Sequence, residues 1–299
     1  MVKVSVILPI YNVAPYLDEA FQSILTQTLS DIEIIAVNDG STDNSQEVIE
    51  HYAAQDGRII AIQQENQGLS GARNTALSYA TGEYIYMMDS DDIISAPDAL
   101  YTCYNYAVNH HADFIFFDGD RFFDGGKDCI STIKRTHLVE ENKKYDGEYL
   151  LNLMLEQRNH NSAVWLLFIN HKYLKSIGLS FYPGIIHEDE LFTTILTLNS
   201  NSIYCLKRTF VNHRVRSSSI MGQKYTKRNI SCYLTVADEL LRFRRTPIIH
   251  KFLRYTLSKV FYTGHQIPLK EKPSVFWRAL RSGYLKYIEW KSTFVFWLK

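Results

Sequence analysis

The sequence is poor in the features that mark several protein classes. Its 4 cysteines (Cys103, Cys129, Cys205, Cys232) are widely scattered among 299 residues and show no metal-ligand spacing. That excludes a disulfide framework and a thiolate metal centre, and free thiols in a reducing compartment are expected. Long hydrophobic runs are missing too. The longest, "AVWLLFI" at 163–169, falls well short of the ~20 residues a spanning helix needs. No secretory leader is read, because Pro9 and Asn12 break "MVKVSVILPIYN" too early for an apolar signal core. Internal repeats and low-complexity segments are also lacking, and the formal net charge is zero.

That zero conceals an asymmetry. Residues 1–130 carry 5 Lys/Arg against 20 Asp/Glu, residues 131–299 carry 27 against 12, and from Cys205 onward the count is 20 to 4. Two parts with different partners are implied. The basic tail interleaves its cations with Phe, Trp, Tyr and Leu, which suits helices lying on an anionic membrane. Nucleic acid would be another acidic partner, but no recognition motif supports it, so none is expected. The alternative is a helical subdomain that packs on the rest of the chain or forms a homodimer.

Along the first third, hydrophobic strands alternate with helically spaced segments: "KVSVILPIYN", "APYLDEAFQSILTQTL", "IEIIAVNDGSTDNS", "QEVIEHYAAQ", "IIAIQQ", "GLSGARNTALSYATG" and "EYIYMMDSDD". This order predicts an α/β fold with a parallel sheet covered on both faces. Ligands of such sheets bind beyond the carboxyl ends of the strands, where Pro9 to Asn12, Asn38 to Ser41 and Asp89 to Asp92 fall. Three carboxylates at the end of a buried strand are costly without a counter-charge, so a cation is expected there. Further on, "ALYTCYNYAVNHHADFIFFDGDRFF" reads as a helix and a strand. Residues 119–160 read as loops with a helix covering the site, and 163–182 as a helix then a short strand. "GIIHEDELFTTILTL" reads as an acidic turn opening a helix.

"VSVILPIYN", "IEIIAVNDGSTDNS", "NQGLSGARNTAL" and "GEYIYMMDSDD", in that order and at those intervals, resemble family two glycosyltransferases of the GT-A fold. The likeness is dense over 1–115 and thinner to about 225. It implies a Rossmann-like, mostly parallel sheet flanked by helices. The domains would be 1–222 (nucleotide-binding half 1–115, acceptor-binding half 116–222) and a helical basic extension, 223–299. It also implies a nucleotide-sugar donor and a divalent cation, Mn²⁺ or Mg²⁺, that neutralises the leaving diphosphate.

On this resemblance Asp89-Ser90-Asp91 matches the D-x-D motif. Asp91 would ligate the metal directly, Asp89 would touch the ribose or complete the metal shell, and Asp92 would support them. Asp39 would accept a hydrogen bond from the base ring, which favours a UDP-sugar, and Gly40 would permit close backbone approach. Pro9, Tyr11 and Asn12 would wall the base pocket, Tyr11 by stacking unless it belongs to the core. Gly68, Ala72, Arg73 and Asn74 would bring a helix N-terminus to the nucleotide, with Arg73 touching it or bridging Asp39 and Asp89. In "HEDE", Asp189 would be the base of an inverting transfer, Glu188 its runner-up, and Glu190 a helix cap. In "NHRVRSSSIM", His213 would be a third metal ligand or phosphate contact, and Arg214, Arg216 and Ser219 would clamp the diphosphate. Trp165 would wall the acceptor sugar or sit in the core.

The function expected is sugar transfer from a UDP-sugar to a glycan acceptor, lipid-linked, in bacterial capsule, O-antigen or lipooligosaccharide synthesis. The enzyme would be cytoplasmic and peripheral on the inner face of the cell membrane. A nucleotidyltransferase of similar fold would carry a Gly/Arg/Lys-rich phosphate loop after the first strand, and "PIYNVAPYL" has none. A non-catalytic binding module would have no use for carboxylates at both 89–92 and 188–189.

Overall fold

Two strands, β1 (Val4–Ile10) and β2 (Ile32–Asp39), bury every residue, which is why they read as mostly apolar segments. In the computed structural model, which describes residues 1–126, 128–216 and 224–298, they are the centre of a parallel unit with β3 (Ile59–Gln64) and β4 (Tyr84–Met87). The crossovers are α1 (Ala14–Leu25), α2 (Ser45–Gln55) and α3 (Gly68–Tyr79). Parallel neighbours need such crossovers, so β1, β2 and β4 all end on the same side.

Beyond β4 the alternation stops and the sheet becomes mixed. The elements are β5 (Ile93–Ile94), α4 (Ala99–Asn109), β6 (Phe114–Phe123), β7 (Cys129–Ile133), α5 (Gly147–Glu156), β8 (Leu167–Asn170), α6 (His171–Ser176), α7 (Glu188–Asn199) and β9 (Ile203–Val215). Strand β8 lies antiparallel between β4 and β6, β6 runs parallel to β9, and β5 closes the far edge. The full order is β3-β2-β1-β4-β8-β6-β9-β5, with β7 on β6. The expected parallel arrangement therefore holds for half of the sheet.

Two expectations are corrected here. Residues 119–123 are the end of β6 and 129–133 its antiparallel partner β7, rather than loops. Asp118 sits inside β6, where its carboxylate accepts from the N–H groups of Arg135 (2.7 Å) and Thr136 (3.0 Å). Over 163–182 the strand precedes the helix, with the Asn170 side chain capping α6.

The tail folds into α8 (Lys227–Phe243), α9 (Pro247–Thr263), α10 (Lys272–Arg281) and α11 (Trp290–Trp297). Thr226 and Asn229 form a capping box at the start of α8. Ile230, Leu234, Phe252, Leu257 and Phe261 pack in one cluster with Leu151 and Leu155 of α5 and Leu191 of α7, so the tail shares a core with the elements before it. Among the described residues no helix is long and apolar enough to cross a membrane.

Candidate active site

The end of β4 and the start of α7 meet around one arginine. Arg73, on the first turns of α3, is 1% exposed. Its Nη2 donates to Asp89 Oδ1 (2.9 Å), and its Nη1 donates to Glu188 Oε1 (2.9 Å) and Asp189 Oδ1 (2.7 Å). The guanidinium lies over the Phe181 ring, 5.0 Å from its centroid. Asn74 pairs with the Phe181 backbone in both directions, at 2.8 Å each way. Burial opposes the charge of Arg73, but the Asp189, Asp89 and Glu188 carboxylates outweigh it and hold its pKa above the ordinary value. Arg73 thus bridges Asp89 to Glu188 and Asp189, not to Asp39 as one sequence reading had it.

Asp189 has one oxygen on Arg73 and accepts from the Val164 N–H with the other (3.2 Å). Burial pushes its pKa up to about 7, with Arg73 pulling down and Glu188 and Asp89 pushing up. A carboxylate poised near neutrality suits general-base work. Glu190 does not cap the helix. It pairs with His160 Nε2 at 3.1 Å, and that contact, outweighing burial, holds its carboxyl below the usual range. The residue before α7 is His187, in the left-handed region at φ 66°, which costs strain unless its surroundings hold it. They do: its ring stacks on Tyr233 (4.5 Å between centroids), and its Nε2 accepts from Asn229 Nδ2 (3.0 Å). Nothing in the sequence pattern had marked Phe181, Tyr233 or Asn229.

At the end of β4, donor atoms of Asp89, Asp92 and His213 lie within 4.8 Å of one another. Asp92 is 1% exposed. It accepts from the Arg214 N–H (2.9 Å) and pairs with His213 Nδ1 (2.9 Å). Burial pushes its carboxyl up to about 7 against the pull of His213, while Asp89 and Asp91 add like charge. Burial lowers the His213 pKa, but Asp92, Asp89 and Asp91 together raise it above the ordinary value. Its ring stacks on Trp165 at 4.9 Å, which places that tryptophan, 5% exposed, against the acidic cluster. Two hard carboxylates and an imidazole fit a divalent Mn²⁺- or Mg²⁺-type cation. The Asp91 carboxylate, expected as the direct ligand, is turned to Arg216 Nε instead (2.6 Å). Ser90 is buried between the acidic residues.

Arg214 is held by protein groups on all sides. Its Nε donates to the Asp91 carbonyl (2.9 Å), its Nη1 to Asp124 (3.3 Å) and its Nη2 to Glu19. It stacks between Tyr16 and Phe122, and Arg216 also lies over Tyr16. Ser219 lies outside the described residues.

At the ends of β1 and β2 the base-pocket candidates separate by exposure. Pro9 is buried within β1, whereas Tyr11 is 51% exposed and so not a core aromatic. Asn12 adopts φ 53°, a conformation asparagine tolerates, and its Oδ1 accepts from the Thr42 N–H at 2.8 Å. Asp39 is 2% exposed, and its Oδ1 accepts from Gln64 Nε2 (2.7 Å) and the Gln67 N–H (2.8 Å). Gly40 makes this closure possible: at φ +71° a Cβ there would come 2.9 Å from the Asn66 nitrogen. Gly68 opens α3 at φ +77°.

A family model described as "Glycosyl transferase family 2" matches residues 5–173. Glycosyltransferase GlyG of Streptococcus pneumoniae is 44% identical over 235 residues, covering 74% of this chain and 74% of that protein. Glycosyltransferase GlyA of the same species is 38% identical over 220 residues, or 73% of this chain, and the match spans only 31% of GlyA. S. aureus TarS 1-349, crystallised with UDP-GlcNAc, superposes with a TM-score of 0.74 at 22% identity over 98% of this chain and 83% of that one. This last likeness speaks for the fold alone.

Proposed function

Because the chain belongs to glycosyl transferase family 2, we propose that it moves a sugar from a UDP-sugar to a hydroxyl of a cell-surface glycan acceptor with inversion, Asp189 acting as base. The observation that carries this reading is the buried guanidinium of Arg73. It ties the carboxylate at the end of β4, where a diphosphate would leave, to the carboxylate at the start of α7, where a proton would be taken.

In the proposed step the acceptor hydroxyl oxygen attacks the anomeric carbon while its proton passes to Asp189. The bond from that carbon to the diphosphate oxygen breaks, and UDP departs with the electron pair. Arg73 and the Val164 N–H fix the Asp189 carboxylate for the transfer. Asp39, through Oδ2, accepts the base N–H, and Tyr11 stacks on the base. Asp89, Asp92 and His213 would hold the divalent cation, with the Asp91–Arg216 pair next to them in the chain. When bound there, the cation supplies Lewis-acid neutralisation of the diphosphate. Residues 1–222 are the catalytic unit in this reading, and 223–299 carry the chain to a lipid-linked acceptor at a membrane.

A panel of UDP-sugars tested for cation-dependent UDP release, with Asp189→Asn in parallel, decides the matter. Release from at least one donor, lost in the variant while UDP still binds, supports the reading. Release undiminished in Asp189→Asn defeats it.

A further inference from the structure

The last helix is turned inside out. Residues 290, 294 and 297 fall on one face of α11, and that face is the outward one, with Leu298 just beyond the helix end. Trp290 is 73% exposed, Phe294 62%, Leu298 48% and Trp297 38%, while Ser292 and Phe296 are the buried positions. The exposed stripe continues onto α10 through Trp277. The Phe276 ring lies 6.5 Å from Trp277 and 5.3 Å from Trp297, which joins the two helices into one aromatic patch. Large apolar patches of this kind mark a binding surface.

The segment that carries the patch also exposes the cations Lys270, Arg281, Lys286 and Lys291. Lys291 Nζ is 5.8 Å from the Trp290 ring centroid, and Arg281 borders an open groove with Ser274, Trp277 and Ser282. Glu271 and Glu289 are the acidic residues of this region. We propose that α10 and α11 form a docking face for an anionic phospholipid surface, with the tryptophans and Phe294 entering the headgroup boundary and the cations meeting phosphates.

Charge and residue type select this occupant. A second copy of the chain across a two-fold axis would set cation against cation, in a stretch with 20 basic and 4 acidic residues from Cys205 onward. Tryptophan, with an apolar body and one polar N–H, suits the boundary between acyl chains and headgroups. Neither an apolar stripe nor a few cations holds a protein on a bilayer alone, whereas the two together do. The docking deepens the preceding reading, since a membrane face matters most if the acceptor is lipid-linked, but it is measurable without any transfer.

The test is co-sedimentation of the full chain with vesicles of phosphatidylcholine, with and without phosphatidylglycerol. Binding is expected to the anionic vesicles and to fall in high salt. Trp290→Ser with Phe294→Ser should weaken it by about tenfold or more, and Lys286→Glu with Lys291→Glu should remove the preference for phosphatidylglycerol. Thermal midpoint and UDP binding in the same samples should stay at wild-type values, so loss of docking and failure of the transferase reading are read separately. The proposal is overturned by absence of binding, by equal binding of both vesicle types, or by equal binding of the serine variant. Light scattering that shows a dimer split by the serine substitutions would overturn it too, assigning the face to a second copy.

Discussion

Replacing Arg73 by methionine keeps an apolar stem over Phe181 but removes the cation that Asp89, Glu188 and Asp189 share at 2.9, 2.9 and 2.7 Å. Breaking a buried pair by deleting one partner costs about 3–5 kcal/mol. The Asp189 carboxyl, already pushed to about 7, loses the group that pulls it down. At an effective dielectric constant of about 20, a unit charge ~4 Å away contributes ~4 kcal/mol, or roughly three pH units. Solvent access to the Asp189 side chain, 20% exposed, trims this to roughly two.

The acidic limb of the UDP-release profile should therefore move up by about two pH units. Stability carries the same sign. Because the folded carboxyl binds its proton more tightly than the unfolded one, stability falls as pH rises from the ordinary value of 3.8 to about 7. In Arg73→Met the fall should continue to higher pH. Urea unfolding at pH 5 and pH 8 beside the rate profile checks both. A variant with an unchanged acidic limb, or one no less stable at pH 8 than at pH 5, would refute the assignment of Arg73 as the counter-charge of Asp189.

Asp189→Asn should lower transfer by about 10²–10⁴-fold and leave UDP affinity by calorimetry within error. Asp92→Asn and His213→Ala should each shrink the rise in thermal midpoint that Mn²⁺ produces. In the wild type that rise should fade as pH drops below about 7, where Asp92 takes up a proton. Gly40→Ala forces a side chain into φ +71° and against the Asn66 nitrogen. It should cost about 1–3 kcal/mol in denaturant unfolding and weaken UDP binding through the displaced Asp39 contacts.

Much of the first half was legible because its physics is local. Strands buried on both faces appear as apolar runs, and the turns that end them carry the polar residues of the candidate site. β6 was legible as a strand, but β7 was not, because its pairing and the bonds of the Asp118 carboxylate to backbone N–H groups 17 and 18 residues away depend on the fold. The carboxylates at 89–92 and 188–189 stood out by spacing, but that Arg73 joins them across separations of 16 and 116 residues did not. Which acid of Asp89-Ser90-Asp91-Asp92 turns to His213 is a matter of side-chain direction at the end of a strand, invisible in the letters. The aromatic content of the tail was plain. That part of it fills a common core with α5 and α7, while α10 and α11 leave rings in solvent, depends on packing.

The brace on His187 bears on how such a chain can be recombined. The turn that launches α7, and so aims Glu188 and Asp189, is kept in its strained state by a ring and an amide from α8, some forty residues downstream. Grafting a foreign C-terminal segment onto this chain would exchange more than an address label. Unless the donor segment supplies its own Tyr and Asn at the matching turns, the hybrid inherits an acid with no fixed aim, and swaps between relatives should succeed only when the seam lies after α8.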